Sequence, residues 1–178
     1  RLKVTHQFER AVAQGPLAMM ARILPYAFFY TAATTLVNAL MITFGQMSFH
    51  GSYLLFLPAV FLGAVSIGLV CLFFAWNAPD PGRGCSYMIL IVPPGFITGG
   101  FTMAIGFLPL WAQYLSHAFP LVWIFRFFRD CAFRGLSFAE LSTSYGCLLI
   151  YTAILGLLVL WRWQVTAHRL SAPRAVGD

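Results

Sequence analysis

The sequence predicts an all-α integral membrane protein: four transmembrane helices, with a re-entrant, interfacial amphipathic helix between the third and the fourth. Three observations predict it. Of 178 residues, 60% are hydrophobic and only 9% charged, with mean hydropathy +0.80, whereas soluble domains carry roughly 25% charge. The apolar runs 23–44, 53–76, 86–107 and 144–163 are each long enough, at about 1.5 Å per residue, to cross a hydrocarbon layer of roughly 30 Å as helix. Between the last two lies "LVWIFRFFRDCAFRG", residues 121–135, where charge returns in a pattern that a span does not tolerate.

Residues 1–22 carry Arg1, Lys3, Arg10 and Arg22 and read as a cytoplasmic segment, with 23–178 as the transmembrane domain. No cleavable signal pattern precedes the first run, and a start at Arg1 rather than Met reads as an excerpt of a longer protein. In the first run, Thr31, Thr34, Thr35 and Asn38 recur at i, i+3, i+4 and i+7, giving one polar stripe on an apolar helix. The stripe is either the wall of a pathway or a set of interhelical hydrogen bonds with close packing. The second run places Ala59, Gly63 and Ser66 as a small-residue seam.

The third run contains "IVPPGFITGGF", where Pro93, Pro94, Gly95, Gly99 and Gly100 interrupt the helix near mid-membrane. Pro94 has no N–H, and its ring clashes with the carbonyl four residues back. A break at this depth needs protein or a water-filled cavity around it, as in many transporters; a plain kink packed by its neighbours is the alternative. The stretch 121–134 should not span at all, because three Arg and one Asp at the bilayer centre would cost about 10 kcal/mol at roughly 2.5–3.5 each. On a helix, Arg126, Arg129, Asp130 and Arg134 share one side, while Leu121, Ile124, Phe125, Phe128 and Ala132 share the other. This predicts a helix lying flat at the outer interface with its aromatics in the acyl boundary, and Asp130 within one turn of both Arg126 and Arg134.

Basic residues set the orientation. Eight fall in the N-terminal segment, the second loop (Arg83) and the C-terminal tail (Arg162, Arg169, Arg174), against the three arginines of 121–134, which places both termini in the cytoplasm. The net charge of +6 is scattered at helix ends, where anionic lipid headgroups explain it without a nucleic-acid partner. Cys71, Cys85, Cys131 and Cys147 lack the paired, accessible arrangement of a redox site. His6, His50, His117 and His168 lie at helix ends or in loops rather than within spans, so they read as interfacial hydrogen-bonding groups and not as haem or metal ligands. Without a Gly-rich phosphate loop, a carboxylate pair or a Ser-His-Asp set, the chain offers no catalytic constellation and no cofactor site.

The residues after the break, "LPLWAQYLSHAFPLVWIFRFFRDCAFRG", resemble the membrane-spanning permease of type-2 ABC exporters, which move drugs, lipids or polysaccharides outward. Pro109, Trp111, Pro120, Arg129, Arg134 and Gly135 are the matching positions. The beginning, "FERAVAQGPLAMMARILPY", is similar to that family's cytoplasmic segment, at Glu9, Pro16, Pro25 and Tyr26. The usual Gly-Thr-Leu-Glu run is replaced by "HQFERAVAQGP", and the family's permease has six spans, so four spans would correspond to its third through sixth.

The resemblance implies a bacterial inner-membrane subunit without ATP chemistry of its own. Glu9, Arg10, Gln14, Gly15 and Pro16 would contact a separate ATPase subunit that binds ATP and magnesium. A second permease copy would complete the pathway, lined by Thr31, Thr34, Thr35, Asn38, Pro93, Pro94, Gly99 and Gly100, among membrane lipids. The competing expectation is a four-helix membrane scaffold or assembly protein without transport activity, in which Pro93 and Pro94 only shape packing.

Overall fold

A computed structural model describes residues 10, 12–76, 78, 81–89, 92–100 and 105–171. Among them every regular element is helical: α1 (Pro16–Ala21), α2 (Leu24–Thr43), α3 (Tyr53–Ala75), α4 (Pro81–Ile89), α5 (Val92–Thr98), a 3₁₀ turn (Ile105–Phe107), α6 (Leu110–Ser116), α7 (Pro120–Phe128) running into a π-helical turn (Arg129–Phe133), and α8 (Phe138–Ser171).

Three stretches are long and apolar enough to cross a membrane: Pro16–Thr43, Tyr53–Ala75 and Phe138–His168. Their surfaces agree with that environment. Phe29 on α2 and Leu54 on α3 are exposed, as are Ile150 and Leu157 on α8, an apolar display that soluble monomers rarely present over so wide an area. Helices α2 and α3 fill the first two apolar runs almost end to end. Helix α8 begins earlier than its run, at Phe138, where the Glu140 carboxylate accepts hydrogen bonds from the Ser137 N–H at 2.9 Å and the Ser137 hydroxyl at 3.0 Å, satisfying a donor at the helix start.

Helix α3 sits at the centre, packed on α2, α4, α7 and α8. It runs in the same direction as α8, joined by Tyr145 Oη to the Leu55 carbonyl at 2.6 Å, Ser66 Oγ to Thr152 Oγ1 at 2.6 Å and Trp76 Nε1 to Thr166 Oγ1 at 2.9 Å. Helix α2 runs opposite to α3, with Phe28 on Phe61 and Ile23 on Gly68. Two apolar clusters hold the ends of this layer: Val12, Met19, Leu69, Trp76 and Val159 at one, and Phe56, Ala59, Phe127, Cys131 and Leu141 at the other.

The third apolar run, expected over 86–107 with an interruption at Pro93, Pro94, Gly95, Gly99 and Gly100, is described as α4 up to Ile89 and as α5 over Val92–Thr98, with residues 90–91 and 101–104 outside the described ones. Pro93 and Pro94 lie within the described helical residues Val92–Thr98. Gly99 and Gly100 end that helix in a turn, with Gly100 at φ +77°, a conformation that glycine adopts freely.

The amphipathic helix also corrects an expectation. It does not lie across the helix ends with its aromatics outward; it packs lengthwise along α3 and α8. Along α3 its contacts step from Gly63 at Ile124, through Phe56 at Phe128, to Gly51 at Cys131. Along α8 they step from Tyr151 at Ala118 to Tyr145 at Phe127. The physical reason is room. A Cβ on Gly63 would stand 2.8 Å from Ile124, and one on Gly99 2.8 Å from Phe125, so glycines on α3 and beside α5 admit the apolar side of α7 into protein contact. Helix α6 leads down from beside Arg129, near which Gly100 and Ile105 pack, to the level of Tyr151, and α7 returns.

Candidate functional site

Four groups of residues carry the functional expectations, and the structure places them at three levels of the bundle. The N-terminal segment docks where α3 ends. Trp163 donates its indole N–H to the Val12 carbonyl at 3.0 Å, and Val12 and Met19 are buried against Leu69 and Val159. Gly15 turns the chain at φ +97°, Pro16 opens α1, and Gln14 accepts a long hydrogen bond of 3.5 Å from Arg22. Arg10 and Gln14 are exposed and Glu9 lies outside the described residues. What this presents to solvent is a short polar turn held from behind by aromatic packing.

The polar stripe of α2 splits. Thr31 and Thr35 donate to the carbonyls of Ala27 at 2.8 Å and Thr31 at 2.7 Å, within their own helix. Such back-bonding satisfies a hydroxyl in an apolar setting without a partner helix. Thr34 and Asn38 instead line a crevice between α2, α3 and α7. Asn38 is buried, and its side-chain nitrogen has no partner among the described residues, a state that costs about 1–3 kcal/mol when nothing else fills the role.

Pro93, Pro94, Gly99 and Gly100 do not share one wall with that stripe. Pro93 is exposed and Pro94 half-buried. Gly95 and Gly99 serve as contact points for Leu121 and Phe125 of α7, and Phe96 stacks edge-on against Phe125 at 5.0 Å. Two glycines four apart let two helices approach closely.

Around the π-helical turn, Asp130 is the buried charge. Its carboxylate meets Arg134 Nη1 at 3.2 Å and Arg126 Nε at 4.0 Å, with side-chain exposures of 64% and 47% for the arginines against 10% for Asp130. The pairing expected from the i±4 spacing is present, and both guanidinium groups reach outward while the carboxylate stays in. Arg126 also lies 5.9 Å from the Trp123 ring, and Arg129 approaches Gly100. The loop after α2 closes over this turn: the His50 N–H donates to the Ala132 carbonyl at 2.9 Å, and Gly51 lies against Cys131. Burial pushes the Cys131 thiol above its ordinary range, which suits an inert packing residue.

The Cys71 thiol donates to the Met88 thioether at 3.2 Å, and among the described residues no three His, Cys, Asp or Glu side chains gather as a metal site. The His117 ring bonds the Gln113 carbonyl at 2.8 Å and meets Trp123 edge-on. Sequence reasoning missed the crevice. Its one visible sign was Asn38, the sole amide side chain in the run 23–44; its walls come from helices far away in the chain.

Compared with protein-family models, curated proteins and solved structures, the chain matches none. The resemblance read from its residues therefore stands on those residues alone.

Proposed function

We propose that this chain is part of the permease of an ATP-driven exporter of the second ABC type: it forms substrate pathway in the membrane, while a separate subunit hydrolyses ATP. The observation that carries this reading is the α6–α7 hairpin. Its tip, residues 117–119, lies beside Tyr151, close to the middle of α8, so in a bilayer it would sit at depth. Backbone that enters a membrane without crossing it must have its polar groups satisfied by protein. Here Tyr151 donates to the Ala118 carbonyl at 2.6 Å, Trp123 to the His117 carbonyl at 3.1 Å and Ser116 to the Gln113 carbonyl at 2.6 Å. A re-entrant pair before the last span is what the resemblance implies for "LPLWAQYLSHAFPLVWIFRFFRDCAFRG".

Four crossings follow if α4 and α5 together count as one. Supporting that count, Gly84 of α4 lies near Ala75, and Gly99 and Gly100 lie near Phe125 and the Arg129 side chain. Broken crossings packed by neighbouring helices are common in transporters. The positive-inside count then puts both termini, and the turn with exposed Arg10 and Gln14, on the cytoplasmic side. That turn would receive the ATPase subunit, and a second copy of the chain would face the first. The scaffold reading keeps one observation of its own, the hydroxyls of Thr31 and Thr35 that are spent within α2.

The test is a crosslink. With Gln14→Cys in membranes co-expressing the candidate Walker-A subunit, a nucleotide-dependent crosslink to that subunit is expected. Failure to crosslink in every nucleotide state, with the chain inserted normally, overturns the exporter reading in favour of the scaffold.

A further inference from the structure

A groove of about 600 Å³ runs along α2 and α3, within the roughly 300–1,000 Å³ of small-ligand clefts. Its lining comes from residues 22–33 on and just before α2 and from 64–75 on α3, about 16 Å of each helix at about 1.5 Å per residue. That is half of the roughly 30 Å hydrocarbon layer, the depth of a single leaflet. One end lies at the level of the bundle's tryptophans: Met19, Met20 and Ile23, next to Arg22, pack in the cluster that holds Trp76 and Trp163. Tryptophan gathers where a membrane meets water.

Charge and shape narrow the occupant. Arg22 is the one charged residue lining the groove. It is exposed, and among the described residues its guanidinium donates only a long bond of 3.5 Å, to Gln14, out of the five N–H groups that an arginine carries. Apart from Cys71 the rest of the lining is aliphatic or aromatic, and it is small at Ala27, Ala33, Ala64 and Gly68, which leaves room for a hydrocarbon chain. A second copy related by a two-fold axis along the membrane normal would bring its own Arg22 to the same level, like charge towards like charge. We propose that the groove holds one anionic phospholipid from the leaflet at the Arg22 end. Its phosphodiester takes the Arg22 guanidinium, as a basic side chain at a membrane surface takes an anionic headgroup, and one acyl chain lies along Ala27, Ala33, Ala64 and Gly68. The site goes beyond the exporter reading and does not rest on it: it is built from one chain and needs neither ATP nor a second copy.

Phosphatidylglycerol with a photoactivatable diazirine at the end of one acyl chain tests the site on the purified chain in detergent. Labelling is expected to saturate and to fall on peptides containing 30–33 and 64–67, at the end of the groove away from Arg22. Unlabelled phosphatidylglycerol should compete about fivefold better than phosphatidylcholine with the same acyl chains, and Arg22→Gln should make the two equal. Ala64→Phe fills the groove and should abolish saturable labelling. Both variants are compared at unchanged helical content and a single elution peak; if either fails to fold, the competitor ratio on the unaltered chain decides. Equal competition by the two lipids there, or labelling that does not saturate and spreads over outward-facing Leu54 and Leu157, overturns the proposal. An Ala33→Cys disulfide between two copies that excludes the label also overturns it, and gives the groove to a second copy.

Discussion

Two seams meet on α3. Along α8, side chains cross from helix to helix: Tyr145 to the Leu55 carbonyl, Ser66 to Thr152, Trp76 to Thr166. Along α2, the hydroxyls of Thr31, Thr35 and Thr43 turn back on their own helix, and the aromatic contact of Phe28 with Phe61 lies at an edge, with Phe28 64% exposed. Lipid solvates apolar surface as well as leucine does, so burial by itself does little to hold membrane helices together; cross-helix hydrogen bonds and close packing do that. The α3–α8 seam has both. The α2–α3 seam leaves a crevice and an amide nitrogen with no partner among the described residues, which makes α2 the helix freer to shift.

Deleting a ring on each side of α3 should give the largest contrast. Phe56 is 1% exposed within the cluster formed with Phe127 and Leu141, and Phe56→Ala should cost about 3–5 kcal/mol. Phe28→Ala removes one exposed edge contact and should cost no more than about 1.5 kcal/mol. Thermal unfolding in detergent micelles measures both, and equal losses would erase the difference between the seams.

The Ser66–Thr152 contact sharpens the same comparison at smaller scale. Each hydroxyl also lies within reach of its own helix, at the carbonyls of Leu62 and Leu148, so a single proton bridges the pair while the other stays local. A double-mutant cycle with Ser66→Ala and Thr152→Val should give a coupling of about 0.6 kcal/mol, and at most about 1.7. Strict additivity would mean that the bridge contributes nothing net. Smallest of all is the expected effect of Thr31→Val with Thr35→Val, within about 0.5 kcal/mol, because the lost bonds are intrahelical. Unchanged stability with impaired export in that variant would return both threonines to the pathway.

How much of this was legible from the sequence depended on whether the cause was local. Helices α2 and α3 follow their apolar runs closely, since length and hydropathy are properties of the run itself. The start of α8 was not read from the sequence: the apolar run pointed to residue 144, whereas the helix begins at Phe138, next to the Ser137–Glu140 bonds. The Asp130 pairs followed from i±4 spacing and are present at 3.2 and 4.0 Å. Of the residues read as an interruption, Gly99 and Gly100 end α5 in a turn; the residues just before Pro93 and Pro94 lie outside the described ones.

By itself the sequence determined the solvent of this protein, the places where the chain turns apolar, and the charge pairs within one helix turn, because each depends on residues adjacent along the chain. Only the tertiary structure decided what meets the apolar side of α7. Amphipathicity separates the two faces of a helix equally well for lipid and for protein, and the choice rested on Gly63, Gly95 and Gly99, whose missing side chains leave space for Ile124, Leu121 and Phe125. The same long-range packing makes Thr34 and Asn38 part of the lining of a crevice, because the helices that complete it, α3 and α7, meet beside α2 only once the chain has folded.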